Sequence, residues 1–517
     1  MTTTVETTLG TLQGIQRPHH IEFRGIPYAA APINELRFQA PQPLEPWQGV
    51  RRADLFGDAS IQNNISLFGV GNTSEDCLYL NVWTPNTEAK KRPVMVWIHG
   101  GGYISGSGSQ LIYRSNTLCE SGDVVVVAIN YRLGVLGFLD LTQHFSSDLP
   151  VSCNNGLLDQ IAALNWVKDN IAAFGGDPDQ VTVFGESAGA MSIAALMTSP
   201  LAKGLFGKAI LQSGSGDHVL TKEESARVAD CFLQATGISA EDPDALFNLS
   251  EKQILDAQKK CMAMSLDESR NQNPKQPRIT QFSTTLSPVI DGEILPTTPI
   301  RAIESGIAAD IVLMVGSARD EWNLFLHTPG PDGESLAKTR YKDINKKELI
   351  EICEQDLPGL GEKSANLYEK VLTQRSDSAS VLDMYSAFES DRMFRIPTLR
   401  IAEAQSKHRA DVFFFEFTWD KGVFGACHAI DVPFIFGCTQ AGVGQILTGG
   451  GDKAVELSET VQSSWIAFAR SGNPGTDKVG QWPGYTPSER KVMCFNDTVE
   501  LIDDPQQDTR SHWDGIL

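Results

Sequence analysis

Apolar positions in the first half of the chain fall into short unbroken runs separated by stretches of helical spacing. Val94–Ile98 (Val-Met-Val-Trp-Ile) and Val124–Ile129, rich in β-branched residues, have the pattern of strands buried on both faces. Leu157, Ile161, Leu164, Val167 and Ile171 then recur at spacings of four, three, three and four, which is one apolar face of a helix. Gly175-Gly-Asp-Pro178 stops that helix. Val181–Phe184 predicts a third strand, Ala209–Leu211 a fourth, and Ile311–Val315 and Val412–Phe415 two later ones. Strands alternating with helices predict a largely parallel sheet covered on both faces, an α/β fold. Between the last two strands, residues 338–405 read as a charged helical insertion packed beside the sheet. A helix through Val455, Val461 and Trp465 closes the chain before Gly472-Asn-Pro474. With no tandem repeat or long linker, residues 1–517 read as a single domain.

Composition acts mainly by exclusion. At 41% hydrophobic and 21% charged the chain is globular. Lys and Arg number 43 against 64 Asp and Glu, a net charge of −21, which disfavours a nucleic-acid partner. No run approaches the roughly 18 apolar residues of a membrane span. The opening Met-Thr-Thr-Thr-Val-Glu lacks the basic and apolar regions of a secretory signal. The nine cysteines are odd in number, scattered and without a Cys-x-x-Cys pair. They read as buried free thiols in a reducing compartment, so a cytoplasmic location is expected. No metal ligand set and no cofactor motif is visible.

The chemistry concentrates after strands. Gly185-Glu-Ser187-Ala-Gly189 stands between the strand Val181–Phe184 and a helical stretch from Ala188 to Met197. In that strand–turn–helix context the G-x-S-x-G pattern lifts a serine hydroxyl above the sheet edge. Ser187 is the candidate nucleophile; a tight structural turn is the alternative reading. His99-Gly-Gly-Gly102-Tyr103 follows the strand Val94–Ile98 directly. Its glycines let backbone N–H groups approach a reacting oxygen, so Gly101, Gly102 and Ala188 are the candidate oxyanion donors. No Gly-Lys-Ser/Thr follows, which argues against a phosphate loop. Of the histidines after Ser187, His428 lies in the loop beyond the strand Val412–Phe415, where this layout needs its base. The strand Ile311–Val315 runs into Asp320-Glu321, and either carboxylate suits the role of acid.

Further motifs span nearly the whole length: Phe23–Tyr28, Leu36–Phe38, Ser74–Asn81 (Ser-Glu-Asp-Cys-Leu-Tyr-Leu-Asn), Asn130–Gly134, Phe174–Pro178, Gln212–Gly214, and Cys427-His428 with Pro433–Gly437. With them the chain resembles the type-B carboxylesterases, the family of cholinesterases and bacterial para-nitrobenzyl esterases. The resemblance implies an α/β-hydrolase fold with a large central sheet and a Ser187–Glu321–His428 triad, Glu321 being preferred because the family's Asp-Glu pair uses its Glu. It further implies a hydroxyl contact from Ser213 near that acid, and structural ion pairs Arg37–Glu75 and Arg132–Asp177. The chain departs from the family at three points. No cysteine precedes Cys77, whose family counterpart is usually disulfide-bonded. Trp322 stands where many members have Gly. No tryptophan occurs between Arg52 and Ser74, where cholinesterases carry the choline-site indole.

The expected activity is hydrolysis of small, neutral, apolar carboxylic esters through an acyl-enzyme, without metal or organic cofactor, with Tyr103 and Phe424 lining the pocket. The alternatives are a lipase, an amidase or xenobiotic hydrolase of the same fold, and a non-catalytic adhesion-type relative. A lipase would need an interfacial lid, and the segment 54–74 has no cysteine to anchor one.

Overall fold

The computed structural model describes residues 2–63, 69–88, 90–145, 149–239, 241–271, 285–328, 334–376 and 379–516. Residues 64–68, within the segment weighed as a lid, lie outside these. Thirteen strands form one sheet: β1 Thr2–Thr7, β2 Gly10–Gln16, β3 Ile21–Pro27, β4 Val50–Arg52, β5 Tyr79–Thr84, β6 Arg92–Ile98, β7 Val125–Ile129, β8 Gly176–Glu186, β9 Lys208–Gln212, β10 Val312–Ala318, β11 Val412–Phe417, β12 Lys491–Phe495 and β13 Val499–Asp503. Their order is β1-β2-β3-β5-β7-β6-β8-β9-β10-β11-β12-β13, with β4 beside β2. From β7 through β12 every pairing is parallel, and antiparallel strands flank this block on both sides.

The parallel block is where the apolar runs lie, because a strand covered by helices on both faces has no solvent side. Alternation along each strand divides the core in two. Val94, Val96 and Ile98 of β6 enter one cluster, and Met95 and Trp97 enter the other. Val125, Val127 and Ile129 of β7 divide from Val126 and Ala128 in the same way. The apolar face read at Leu157–Ile171 is the helix Asn155–Asn170, and the serine is followed by the helix Ala188–Thr198. The region 338–405 holds helices Lys346–Asp356, Gly361–Arg375, Val381–Ser390 and Ile396–Ser406. The last of these packs on β10 and β11 as the crossover between them, and the others share a third apolar cluster around Tyr368, Phe388 and Trp513.

All nine cysteines are free thiols, Cys77 buried among them. Arg37 and Glu75 form the expected ion pair, both side chains 8% exposed. The Arg132–Asp177 expectation is corrected. Arg132 pairs instead with Asp159 on the helix Asn155–Asn170, through its Nε (2.8 Å) and Nη2 (2.7 Å), with both side chains buried. Asp177 caps its own turn, accepting from Asp179 N–H and Gln180 Nε2. Among the described residues no helix is long and apolar enough to cross a membrane.

Candidate active site

Five neighbouring parallel strands, β6, β8, β9, β10 and β11, end at one edge of the sheet, and the loop after each brings in a residue singled out by the sequence. This is the crevice side of an α/β sheet. Ser187 follows β8 with φ 57° and ψ −125°, a left-handed conformation that a β-carbon disfavours. From Val181 to Ser199 every other residue is buried, and Ser187 alone is partly open. The turn is this tight because its glycines permit it. A β-carbon on Gly189 would stand 2.0 Å from the Ile98 carbonyl oxygen, and one on Gly185 2.6 Å from the same atom.

The glycine loop after β6 lies against this turn. Gly101 has φ 110°, and a β-carbon there would meet the Ser105 carbonyl oxygen at 2.1 Å. Among the described residues the backbone N–H groups of Gly101, Gly102 and Ala188 have no acceptor. Ala188 opens the helix Ala188–Thr198, whose N-terminal dipole end therefore also faces the turn. His99 at the foot of the loop is structural. It stacks on Tyr131 at 4.4 Å, and burial pushes it down to about 4, so its ring is neutral.

Glu321 follows β10 and is fully buried. Its Oε1 accepts from Ala318 N–H at 2.7 Å, and its Oε2 lies 2.6 Å from His428 Nδ1. A further tie joins the loops, His428 N–H to the Glu321 carbonyl. Asp320 turns the other way: Arg319 holds it at 2.8 Å, and its side chain is 22% exposed. The geometry thus separates the two carboxylates that their pattern left equivalent. Ser213, at the end of β9, bonds Gly316 O through its backbone N–H. Among the described residues its hydroxyl makes no hydrogen bond to Glu321.

Two acids that the sequence reading missed complete the surroundings of the imidazole. Glu186 Oε1 is an ion-pair contact 2.9 Å from His428 Nε2. Asp431, three residues beyond His428, is buried and accepts from Gln212 Nε2 at 2.6 Å. Burial, reinforced by the Glu186 charge, pushes Asp431 up to about 8. Burial works to lower His428, but Glu186 and Glu321 outweigh it and raise the imidazole to about 10. The cationic form of this ring is therefore the stabilised one. Glu186 occupies the variable place of the G-x-S-x-G pattern, which was the one available signal for it.

Of the two pocket candidates, Tyr103 is fully buried and packs on Phe138 at 4.6 Å within the core. Phe424 is half-buried in the His428 loop, its carbonyl accepting from Asn323 Nδ2.

The profile of the carboxylesterase family matches residues 1–513. The para-nitrobenzyl esterase of Bacillus subtilis is 39% identical over 515 residues, covering 98% of this chain and 97% of its own. The phenmedipham hydrolase of Pseudarthrobacter oxydans is 32% identical, covering 95% and 94%. The crystal structure of a Geobacillus stearothermophilus carboxylesterase superposes with a TM-score of 0.86 at 35% identity, over 99% of this chain and 100% of that one. An α/β-hydrolase sheet, a serine raised on a strained turn at its edge and matches that run nearly end to end agree: the chain belongs to the carboxylesterase family and is a carboxylic ester hydrolase.

Proposed function

We propose that the protein is a serine esterase of small, neutral, apolar carboxylic esters, with Ser187, Glu321 and His428 as its triad. What supports this reading is that Ser187 on its strained turn, the buried Glu321–His428 pair and, among the described residues, three backbone amides without acceptors all follow neighbouring strands of the parallel block. Ser187 Oγ attacks the ester carbonyl while Nε2 of the neutral form of His428 takes its proton, so turnover is expected to climb as rising pH deprotonates the ring. Glu321 fixes Nδ1 as the protonated nitrogen and, with Glu186, stabilises the imidazolium that forms. The Gly101, Gly102 and Ala188 amides hold the oxyanion, each such donor being worth roughly 3 kcal/mol of barrier. His428 then returns the proton to the departing alcohol. Water, deprotonated by the same ring, cleaves the acyl-enzyme and restores Ser187. The scheme calls on no metal or organic cofactor. The net charge of −21 favours neutral over anionic esters, and nine free thiols suit a reducing, cytoplasmic setting.

The test joins covalent labelling to turnover. An organophosphonate is expected to modify Ser187 alone, and Ser187→Ala to lose about 10⁴–10⁶ of turnover on p-nitrophenyl esters while keeping its fold. Labelling at another serine would refute the assignment. A panel of p-nitrophenyl esters of graded acyl length, extended to phenmedipham, then ranks substrates.

A further inference from the structure

The imidazole of His428 is enclosed by rings as well as by carboxylates. Its centroid lies 4.6 Å from that of Phe394 and 5.0 Å from that of Phe325, at interplanar angles of 41° and 42°. Phe325 and Phe394 are themselves parallel, 3° apart in tilt with centroids 5.8 Å apart. Trp322 backs both, at 4.9 Å from Phe325 and 6.5 Å from Phe394.

Phe394 arrives there through an unusual piece of backbone. Asp391–Arg395 is a π-helical turn inserted between the helices Val381–Ser390 and Ile396–Ser406. The wider turn rotates the residues after it relative to an α-helix, and such turns recur at functional sites. The charges of this turn are buried and tied down. Arg395 Nη2 bonds Asp391 Oδ2 at 2.8 Å and Thr509 Oγ1 at 2.7 Å, and the Tyr368 hydroxyl donates to Asp391 at 2.7 Å. Arg392 is clamped by Glu389 and lies 3.5 Å from Asp356. Buried ion pairs of this kind contribute little net stability, yet they hold a geometry firmly.

We propose that Phe394, held by this turn and paired with Phe325, is a positioning residue for His428. The proposal rests on the reading of His428 as the base of Ser187. The two aromatic rings packed beside the imidazole limit its rotation out of its place between Glu321 and Glu186 and favour its cationic form, since a cation within about 6 Å of an aromatic centroid is attracted to the ring. The charged groups that meet the imidazole are Glu321 after β10 and Glu186 of β8, and the Asp431 carboxyl of its own loop interacts with it electrostatically.

The test is the pH profile of kcat/KM for p-nitrophenyl acetate in Phe394→Leu and Phe394→Tyr, with active sites counted by phosphonate titration. The leucine variant is expected to move the acid-limb midpoint to lower pH by about 0.5–1 unit. Its kcat should fall by about tenfold while KM stays within about twofold. The tyrosine variant, which keeps the ring, should restore both within about twofold. An unshifted midpoint, a raised KM at unchanged kcat, or a tyrosine variant as impaired as the leucine would overturn the proposal. If Phe394→Leu does not fold, Phe325→Leu at the half-buried second ring carries the same expectation, and an unshifted midpoint there overturns it equally. Wild-type protein whose Ser187 is not labelled defeats the underlying esterase reading; normal labelling without a pH shift defeats this inference alone.

Discussion

Replacing Glu321 by Gln changes one atom in a site whose hydrogen bonds leave the amide no good choice. Oε1 accepts from Ala318 N–H at 2.7 Å and Oε2 faces His428 Nδ1 at 2.6 Å. A glutamine has one carbonyl oxygen for these two places. Kept on Ala318 N–H, it presents NH₂ to Nδ1, which must then accept, so the proton moves to Nε2 and the ring can no longer take one from Ser187. Turned over, it buries NH₂ against the Ala318 donor, at a cost of about 1–3 kcal/mol for the unmet group. Either way the negative charge beside the imidazolium is lost. A comparable carboxylate-to-amide change in a serine protease costs about 10⁴ in kcat, and at 1.36 kcal/mol per decade a loss of 10²–10⁴ corresponds to about 2.7–5.4 kcal/mol. Asp320→Asn is the matched control, deleting the same charge one residue away. Its partner is Arg319 and its side chain is 22% exposed, so stability should fall by about 1 kcal/mol or less, with turnover within about threefold. The assay is p-nitrophenyl acetate hydrolysis per titrated active site, with thermal unfolding of each variant. A dead Asp320→Asn beside an active Glu321→Gln would refute the reasoning.

Asp159→Asn should cost about 3–5 kcal/mol in urea unfolding because it strands the buried Arg132, whereas Asp177→Asn should cost less than about 1; equal losses would contradict the corrected pairing. Gly189→Ala, which forces a β-carbon to 2.0 Å from the Ile98 oxygen, should destabilise by about 2–4 kcal/mol, and a wild-type melting temperature would show that the turn can yield. At His20, burial lowers the pKa, but bonds to Glu22 (3.0 Å) and Glu120 (2.7 Å) outweigh it and raise the ring above 6.5. Its stabilisation is therefore fully present below about pH 6.5 and is lost as pH rises through the elevated value. The melting temperature of wild type relative to His20→Gln should accordingly fall as pH rises above about 6.5, and a constant difference would exclude this contribution.

Most strands that are apolar on both faces were legible, although β12 (Lys491–Phe495), buried on both faces over Val492–Phe495, went unread because its apolar run is only four residues long. Val94–Ile98, Val124–Ile129, Val181–Phe184, Ala209–Leu211, Ile311–Val315 and Val412–Phe415 all correspond to strands of the parallel block, within a few residues at their ends. The flanking strands escaped notice because they carry no apolar run. Thr2–Thr7 is mostly threonine, with Val5 as its core residue, and most of Val499–Asp503 is exposed. Ser187, His428 and the Asp320-Glu321 pair were visible because each follows a strand in a local pattern, while the choice of Glu321 within that pair came only from the family resemblance. Glu186, Asp431 and Phe394 are brought to His428 by the fold, and beyond the place of Glu186 in the G-x-S-x-G pattern no spacing along the chain encodes that proximity. Arg132 illustrates the same limit: Asp159 and Asp177 are both acids downstream of it, and the helix Asn155–Asn170 turns only the first toward it.

The left-handed backbone at Ser187 sets thermal stability and reactivity against each other at a single residue. A serine held at φ 57° and ψ −125° stores conformational energy that a glycine would release. Variants selected for heat resistance alone would therefore drift toward glycine at position 187 and lose the hydroxyl with the strain. Directed evolution of this protein for robustness needs a turnover screen at every round, because, with Ser187 as the proposed nucleophile, this stabilising change is one that would silence it.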